Sequence, residues 1–170
     1  MLKEKLNIDE RDNTIIQMLQ KNPETSQEEI AKVLKLSQPS VWARIRNLKR
    51  DGIIKNIVGL NFKDVNLNLA KVEVSATDTK SVIEEFKDCP YFLNALIMSG
   101  KFNVCLFFAG TDLKNIEGIV NHHLRSNPKV KDVEMNFVVT TIKDFVMPLN
   151  IDDTNKNQLK CKQGCKHSLE

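Results

Sequence analysis

The sequence predicts an α+β protein built from two small domains. Before residue 52, apolar residues recur at the three- and four-residue spacing of helices, and capping residues mark the ends of each helical segment. After residue 68, four segments alternate apolar and polar residues as half-buried strands do, and two helical patterns lie among them. A chain of 170 residues has room for two domains of this kind.

Two short helices are predicted first. Asp9 is a suitable N-cap for the first helix, Asp12 lies in its first turn, and an Asn-Pro pair at 22–23 ends it. Ser26 and Glu29 have the spacing of a capping box, which satisfies two unpaired backbone donors at the start of the second helix. The predicted buried side of the second helix is Ile30, Ala31, Val33 and Leu34.

A third helix follows a short turn at 35–36. Ser37 caps it, and Pro39 lies in the first turn, where a missing N–H costs nothing. Val41, Ile45 and Leu48 recur at i, i+4 and i+7, so one side of this helix is predicted core. Together the three helices predict a helix-turn-helix, winged-helix-like domain. The β-rich segment 53–62 is expected to run as a strand towards the next domain.

The second domain is predicted as βαββαβ, with strands over 69–76, 91–98, 102–108 and 133–139. Helices are predicted over 79–88 and 112–125, the latter with Leu113, Ile116, Val120 and Leu124 in one stripe. This order is the ferredoxin-like arrangement, in which helices cover one face of an antiparallel sheet. The other face is expected to be open and to carry Cys105 and Phe107, with Ala95 and Ile97 or their neighbours according to register. A partly apolar open face suggests a partner subunit, and scattered surface apolar residues are the alternative.

The predicted boundaries are 1–60 for the helical domain, 61–68 for a polar hinge, 69–150 for the ferredoxin-like domain and 151–170 for a mobile polar tail. Hydrophobic residues make up 41% of the chain and charged residues 28%, which argues against general disorder. There is no apolar run near the ~18 residues of a membrane span and no secretory signal, so we expect a cytoplasmic protein with no membrane partner. Its four cysteines are then expected to be reduced.

Positive charge is concentrated around the third helix. The chain carries +3 overall, whereas residues 35–55 hold six cations against a single acid, Asp51, for a net charge of +5. A local basic patch on a nearly neutral body is typical of a DNA-reading element. An ordinary amphipathic helix with solvated charges is the alternative. The coincidence of caps, turn, length and one-sided charge favours DNA binding.

The side chains of this helix that point away from the core are predicted to contact DNA, because a helix fits the major groove. Gln38 can pair with adenine, Arg46 with guanine or a phosphate, and Ser40 with a base or the backbone. Trp42 can pack on a thymine methyl or a sugar, and Arg44 can hold a phosphate or an acid of the first helix. The predicted contacts are Ser37, Gln38, Pro39, Ser40, Trp42, Ala43, Arg44, Arg46, Lys49 and Arg50, with Lys55 as a further phosphate contact.

Several short motifs carry a family resemblance. They are Ile8-Asp9-x-x-Asp12, Ile30-Ala31, Leu36-Ser37, Val41-x-x-Arg44-Ile45-x-x-Leu48 and Gly52-Ile53-Ile54. In these residues the chain resembles the leucine-responsive and asparagine-responsive (Lrp/AsnC, feast/famine) transcription regulators of prokaryotes. The βαββαβ region resembles the regulatory and oligomerisation domain of that family, so the resemblance covers about residues 6 to 147.

The resemblance implies dimers, often assembled into octamers. It also implies amino acids or related metabolites as effectors, bound near the turn between the second and third strands. Carried over to this chain, the site comprises Ser99, Gly100, Lys101 and Asn103, with Thr140 and Thr141 at the end of the fourth strand as further candidates or simple β-formers. The family usually has an acid where this chain has Asn103. Because Asn103 has no charge to meet an ammonium group, either the ligand differs or amino-acid sensing is absent.

Two other clusters contain residue types that can bind metals. His122 and His123 are adjacent, so on a helix their side chains point about 100° apart, and exposed polar residues are the preferred interpretation. Cys161, Cys165 and His167 offer three zinc ligands where a structural site needs four. We therefore predict no metal and no cofactor. The sequence contains no phosphate-loop, dinucleotide-binding or nucleophile-elbow motif, which argues against an enzyme.

The predicted function is a sequence-specific DNA-binding transcription regulator, dimeric or higher, modulated by an amino acid or related small molecule. Its partners would be double-stranded DNA, further copies of itself, the effector and the transcription machinery. The alternative is a small-molecule-sensing ferredoxin-like module whose helical domain binds protein, and an enzyme ranks last. Salt-dependent DNA binding distinguishes these functions, because neutralising phosphates releases counterions.

Overall fold

The computed structural model describes residues 2–149 and divides the chain into two compact units, with the boundary between Asn56 and Ile57. The sequence places this boundary later, at residue 60, followed by a polar hinge over 61–68. In the structure this stretch belongs to the second unit, because Phe62 is buried in an apolar cluster there. The predicted tail with Cys161, Cys165 and His167 lies outside the described residues.

The first unit consists of helices. They are α1 Leu2–Leu6, α2 Glu10–Lys21, α3 Gln27–Leu34 and α4 Gln38–Arg50. The three predicted helices are confirmed as α2, α3 and α4, whereas α1 is not among the sequence predictions. At five residues α1 is too short to show an apolar period, and Lys3 connects it to Glu10 of α2 through an ion pair of 2.7 Å.

Side-chain caps fix where α2 and α3 begin. The Asp9 carboxylate accepts a hydrogen bond from the backbone N–H of Asp12 at 2.8 Å, and the Asp12 carboxylate accepts one from the N–H of Asp9 at 3.2 Å. Ser26 and Glu29 make the same reciprocal pair at 3.1 and 2.9 Å. Both capping boxes satisfy donors that the helix leaves unpaired, so both predicted helix starts are confirmed.

A short turn joins α3 to α4. Lys35 has a left-handed φ of 51°, Ser37 accepts a hydrogen bond from the N–H of Ser40 at 3.4 Å, and Pro39 lies in the first turn of α4. Gly52, at φ 71°, follows the end of α4 in a conformation that is costly for a residue with a Cβ atom. The predicted helices, turn and stop signals of the helix-turn-helix are therefore confirmed.

The helices of the first unit enclose one apolar core. The buried residues are Ile15, Ile30, Ala31, Val41 and Leu48. Val33, which the sequence assigns to the buried side of α3, is instead 59% exposed. A helix turns about 100° per residue, so Val33 lies about 100° from the centre of the stripe that Ile30, Ala31 and Leu34 form. That rotation places Val33 towards solvent.

The segment after α4 does not form the strand that the sequence predicts over 53–62. Ile53 and Ile54 pack against the core of the first unit, and their backbone N–H groups donate to the carbonyl of Leu48. Residues whose side chains and N–H groups both serve the helical core are not available to a sheet. Within this segment only β1, Leu60–Asn61, is a strand, and it belongs to the second unit.

The second unit combines a four-stranded antiparallel sheet, two helices and a two-stranded ribbon. Its elements after β1 are β2 Asn68–Ala76, α5 Thr79–Glu84, β3 Phe92–Ile97, β4 Val104–Gly110, α6 Leu113–Val120, β5 Val130–Phe137 and β6 Val146–Met147. The strand order of the sheet is β3-β4-β2-β5, and β1 pairs with β6 in the ribbon. From β2 to β5 the chain runs βαββαβ, so the predicted ferredoxin-like arrangement is confirmed.

One face of the sheet and the two helices enclose the core of the second unit. From the strands this core takes Ala70, Val72, Val74, Val104, Leu106 and Phe108, and from the helical side Val82, Phe86, Ile116, Ile119, Val120 and Leu124. Val72 stands opposite Leu106 in the ladder, and the Phe86 ring meets Phe108 edge-on with centroids 5.1 Å apart. The predicted alternation of β2 is confirmed in full.

The opposite face of the sheet is less open than the sequence predicts. Phe107 lies on this face with its ring centroid 6.1 Å from that of Phe145, which is 6.3 Å from that of Phe62. Cys105 is buried on the same side, and burial raises the pKa of its thiol. Residues next to the β1-β6 ribbon therefore cover part of this face, so its apolar side chains serve the fold of one chain.

The pairing of β3 with β4 settles the register that the sequence left open. Leu96 stands opposite Cys105 and Asn94 opposite Phe107, so these two residues of β3 share the second face. Ala95 stands opposite Leu106 and packs against the helix-covered core. The neighbours of Ala95, and not Ala95 itself, face the second side.

Two predictions for the second helix of this unit are wrong. Leu113, predicted in the inward stripe of this helix, is 44% exposed; it is the first residue of α6 and lies a turn before the buried Ile116. His123, expected to be exposed like His122, is only 5% exposed. The helix continues as a π-helical turn, Asn121–Arg125, whose wider spacing changes which residues face inward.

We expect Leu124→Ala to lower the free energy of unfolding of the second unit by about 2–5 kcal/mol, because it leaves a cavity in a fully buried position. Leu113→Ala is the matched change at the start of the same helix, and it should cost about 1 kcal/mol or less. Urea denaturation followed by circular dichroism measures both. Equal losses for the two variants would contradict the packing of α6.

Candidate nucleic-acid interface

The solvent-facing side of α4 is the candidate nucleic-acid interface. Val41 and Leu48 are buried on the opposite side of the helix. Of the ten predicted DNA contacts, eight are exposed, and Ala43 and Arg44 are partly buried. Gln38, Pro39 and Trp42 lie at its N-terminal half, the part of a recognition helix that usually meets base edges. The surface placement that DNA reading requires is therefore present.

Arg44 is bound by acids of α2. Its Nη1 donates to Asp9 Oδ2 at 2.8 Å and to Asp12 Oδ1 at 2.7 Å. The hydrogen bond to Asp12 is the main reason that the pKa of Arg44 is raised. The pKa of Asp9 is lowered, chiefly by the backbone N–H of Asp12 and further by Arg44. Of the two roles predicted for Arg44, these contacts favour an ion pair with the first predicted helix over a phosphate contact.

The other cations of α4 differ in whether an acid neutralises them. Arg50 Nε donates to Asp51 Oδ1 at 2.9 Å, and this bond raises the pKa of Arg50. Arg50 and Asp51 are both well exposed, so the pair is weak and Arg50 stays available to a phosphate. Arg46 and Lys49 have no carboxylate partner among residues 2–149. An approaching polyanion meets these two as uncompensated charges.

Arg46 lies over the indole ring of Trp42. The guanidinium carbon is 4.5 Å from the ring centroid, and the two residues are one helical turn apart on the same face. A cation over an exposed tryptophan contributes about 0.5–1 kcal/mol. Trp42 is 48% exposed, so the pair sits at the surface of the candidate interface.

Ser37 and Ser40 bind each other at the start of α4. Their hydroxyl oxygens are 2.8 Å apart, and the Ser37 hydroxyl also accepts the capping hydrogen bond from the N–H of Ser40. Ser37 therefore serves first to start the helix. The Ser40 hydroxyl can contact DNA while it shares this bond, because a hydroxyl has one donor and two acceptor positions.

The predicted effector residues lie in two segments of the second unit. Ser99 and Gly100 are in the turn between β3 and β4, where Gly100 has a φ of 122° that excludes most other residues. Lys101 forms an ion pair of 2.6 Å with Asp132 of β5 and lies over the ring of Phe102 at 4.9 Å. The cationic group predicted for ligand binding is thus paired within the chain.

Asn103 binds the backbone of β2 through its side chain. Its Oδ1 accepts from the N–H of Ala76 at 2.9 Å, and its Nδ2 donates to the carbonyl of the same residue at 2.8 Å. Its own N–H donates to the carbonyl of Val74 at 3.0 Å. Asn103 therefore extends the pairing of β4 with β2 past the strand end. An ionised carboxylate could not make this pair of bonds, because it has no donor.

Thr140 and Thr141 do not end the fourth strand, as the sequence predicts. β5 ends at Phe137, and both threonines lie in the irregular segment that follows. Thr140 is exposed, whereas the Thr141 Oγ1 atom is buried and has no hydrogen-bond partner among the described residues. Thr141 is thus a polar group with unused binding capacity.

Comparison with known proteins gives a family for each unit. Residues 8–55 match a family described as winged helix-turn-helix DNA-binding, and residues 69–147 match the Lrp/AsnC ligand binding domain. The chain belongs to the Lrp/AsnC family. It is therefore a DNA-binding transcription regulator and not an enzyme, which confirms the resemblance stated from the sequence.

Individual relatives of the Lrp/AsnC family match across both units. The HTH-type transcriptional regulator LrpA of Pyrococcus abyssi is 27% identical over 123 residues, covering 69% of this chain and 86% of the relative. LysM of Saccharolobus solfataricus is 28% identical over 138 residues, covering 79% and 96%. A transcriptional regulator of Neisseria meningitidis, solved as an L-Met complex, has a TM-score of 0.66 and 28% identity, covering 84% of this chain and 97% of that one.

Residues 138–142 form an exposed, β-branched segment that is not among the sequence predictions. Val139, predicted within the fourth strand, follows its end and is 99% exposed, and Ile142 is 86% exposed. Five consecutive β-branched residues, Val-Val-Thr-Thr-Ile, form this segment, and such a run normally indicates a strand. The run itself was the available signal, because β-forming residues without a paired strand call for a partner.

A polar cleft around His123 was also missed. The His123 Nδ1 atom is 3.6 Å from Glu85 Oε2, and Asn127 Nδ2 donates to Glu85 Oε1 at 2.8 Å. His122 and Pro128 complete the lining.

Within residues 2–149 no three His, Cys, Asp or Glu side chains are grouped as a metal site would require. No helix in that range is both long and apolar enough to cross a bilayer.

Asp9 gives the contact between α2 and α4 a defined pH dependence. Because its folded-state pKa is lowered, the ionised carboxylate stabilises the first unit above the unfolded value of about 3.9, and this stability is lost as the pH falls through the folded pKa. We expect acid to destabilise wild type more steeply than Asp9→Asn, which keeps the capping oxygen but cannot ionise. Thermal unfolding between about pH 5 and pH 2 measures this, and parallel curves would refute it.

Proposed function

We propose that this Lrp/AsnC protein is a sequence-specific regulator that binds operator DNA through α4. The observation that carries the proposal is the solvent-facing side of α4, where Arg46 and Lys49 are exposed and have no carboxylate partner among residues 2–149. Gln38 and Trp42 lie on the same exposed surface. A helix of this kind fits the major groove and presents charge to the phosphates.

Residues of α4 take different roles in this proposal. Gln38 and Arg46 contact base edges, whereas Lys49 and Arg50 contact phosphates, as Lys55 does beyond the helix. Ser37 and Pro39 set where the helix begins, and Ser40 and Ala43 bring its backbone close to the groove. Arg44 acts through Asp9 and Asp12 and is a positioning residue.

We propose further that the protein acts in the cytoplasm as a dimer or larger assembly formed through the second unit. The apolar segment 138–142 supports this, because side chains as exposed as Val139 and Ile142 usually mark a protein interface. A second copy is the occupant that the family resemblance implies. Two helix-turn-helix units on a twofold axis would contact half-sites about 34 Å apart or a multiple of that distance.

An amino acid or related small molecule is the proposed effector. The family is described by its ligand binding domain, and one relative was solved as an L-Met complex. Within the predicted set, the side chains of Lys101 and Asn103 are bound to other parts of this chain, whereas Thr141 Oγ1 is buried without a partner among the described residues. Thr141 is therefore the group we assign to a polar ligand atom, and Ser99 and Gly100 lie in a separate segment, the turn between β3 and β4.

We expect the logarithm of the affinity for double-stranded DNA, selected from a random pool, to fall linearly with the logarithm of the salt concentration. The slope should be about −0.9 for each phosphate that the protein neutralises. Lys49→Ala should reduce that slope by about 1 per subunit and weaken binding to all sequences alike. Lys114→Ala, a matched change at an exposed lysine of α6, should leave the slope unchanged. Fluorescence anisotropy over a salt series measures these effects.

Two further outcomes of that experiment decide the rest of the proposal. Binding that does not depend on salt, or no binding to any DNA, would favour the alternative that the helical unit binds protein. The same titrations repeated with each amino acid test the effector, because a true effector changes operator affinity. Affinities unaffected by all of them would remove amino-acid sensing and leave DNA binding intact.

Val139→Glu should shift the protein towards the monomer, because a charge at a buried interface is costly to desolvate. Val33→Glu places the same change at an exposed valine of α3 and should leave the assembly unchanged. Sedimentation velocity of both variants and wild type reports the masses. A monomeric wild type, or an unaltered Val139→Glu assembly, would exclude segment 138–142 as the interface.

A further inference from the structure

We infer that Arg46 binds the major-groove edge of a guanine and that Trp42 is the positioning residue that holds it ready. The inference deepens the proposed function and rests on it, since α4 must first enter the groove. It assigns a base type to one position of each half-site. It also separates base reading from phosphate binding among the cations of α4.

Among the arginines of α4, Arg46 is the one that is exposed and has no carboxylate partner within residues 2–149. Arg44 donates to two carboxylates, and Arg50 donates to Asp51 in an exposed, weak pair that leaves its charge available to a phosphate but directs part of its donor fork towards that acid. Lys49 is exposed but carries a compact point charge, which suits phosphate oxygens. Arg46 keeps its fork of donors for an external acceptor.

Trp42 orients the donor fork of Arg46. A guanidinium over an aromatic face is held by its flat side, while its N–H donors lie in its own plane and stay free for other bonds. Two parallel donors match the O6 and N7 acceptors of guanine, which are the most common target of a bidentate arginine. A fixed donor direction serves a base edge, whereas a phosphate accepts hydrogen bonds over a broad range of angles.

The contact with Trp42 also reduces the conformational entropy that Arg46 loses when DNA binds. An arginine side chain carries about 2 kcal/mol of rotamer entropy, which a flexible residue loses when it is fixed in a complex. Packing on Trp42 removes part of this freedom before DNA arrives, so less is lost on binding. Trp42 and Arg46 are i, i+4 on one helix, so their contact comes from local structure and does not require the DNA.

The test begins with a sequence that the full-length wild type selects from random double-stranded DNA. We expect a required guanine in each half-site, with about 5- to 150-fold weaker binding when that base pair is replaced. Arg46→Ala should abolish this discrimination. Arg46→Lys should abolish most of it while keeping the salt slope, because lysine retains the charge but lacks the fork. Placing 7-deazaguanine at the position should weaken wild type and leave Arg46→Ala unaffected.

The positioning role has its own readout. Trp42→Ala should lower the guanine discrimination towards that of Arg46→Ala, and Trp42→Phe should restore most of it because it keeps an aromatic face. Trp42 is half exposed, and circular dichroism of each variant checks that the fold is kept. Trp42→Leu provides a second non-aromatic variant. Because the chain has a single tryptophan, its fluorescence also reports directly whether operator DNA changes the environment of the ring.

The outcomes separate the inference from the function it rests on. If wild type shows no selective, salt-dependent binding to DNA, the proposed function fails. If wild type is selective but Arg46→Ala weakens every sequence equally, Arg46 binds a phosphate and the inference is overturned while the function stands. If Trp42→Ala and Trp42→Leu discriminate as wild type does, Trp42 does not position Arg46.

Discussion

One guanidinium shared by two carboxylates is the contact on which the DNA-facing surface depends. Asp9 and Asp12 each use one oxygen to cap α2 and the other to bind Arg44 of α4. The start of α2 and the middle of α4 are therefore fixed by the same four oxygens. Loss of Arg44 would leave two carboxylates close together, with Asp12 largely shielded from water, and an uncompensated charge in such a place is costly.

The same contact decides which charges DNA can meet. The sequence shows a net charge of +5 over residues 35–55 but leaves open whether Arg44 and Arg46 bind phosphates. In the folded unit Arg44 is neutralised by α2, and Arg50 has an exposed pair with Asp51. Arg46 and Lys49 remain on the outer side of α4 without acids among the described residues. The partners of the cations, and not their number, therefore set Arg44 apart from the cations that stay available to a polyanion.

Local signals in the sequence predicted most of the fold, because they act between residues close in the chain. The N-cap at Asp9, the capping box at Ser26 and the alternation of β2 are of this kind, and the structure has all of them. The failures depend on packing or on altered helical geometry. His123 becomes buried through a π-helical turn that no spacing rule anticipates, and β5 ends at Phe137 although β-branched residues continue. Within the candidate site, the exposed face of α4 could be predicted from the spacing of its residues. Which acid pairs with which cation could be decided only from the structure.

Asn103 shows how a departure from a family pattern can be structural in origin. The amide uses its donor and its acceptor on the backbone of Ala76, which ties the turn after β3 to the end of β2. A carboxylate at this position could accept one of those bonds but not donate the other, and it would be left free to meet a cationic ligand. In this chain the amide fixes the turn after β3 and leaves no charge free for a ligand. The effector that we propose would therefore bind through other groups, and the Thr141 hydroxyl is a buried one without a partner among the described residues.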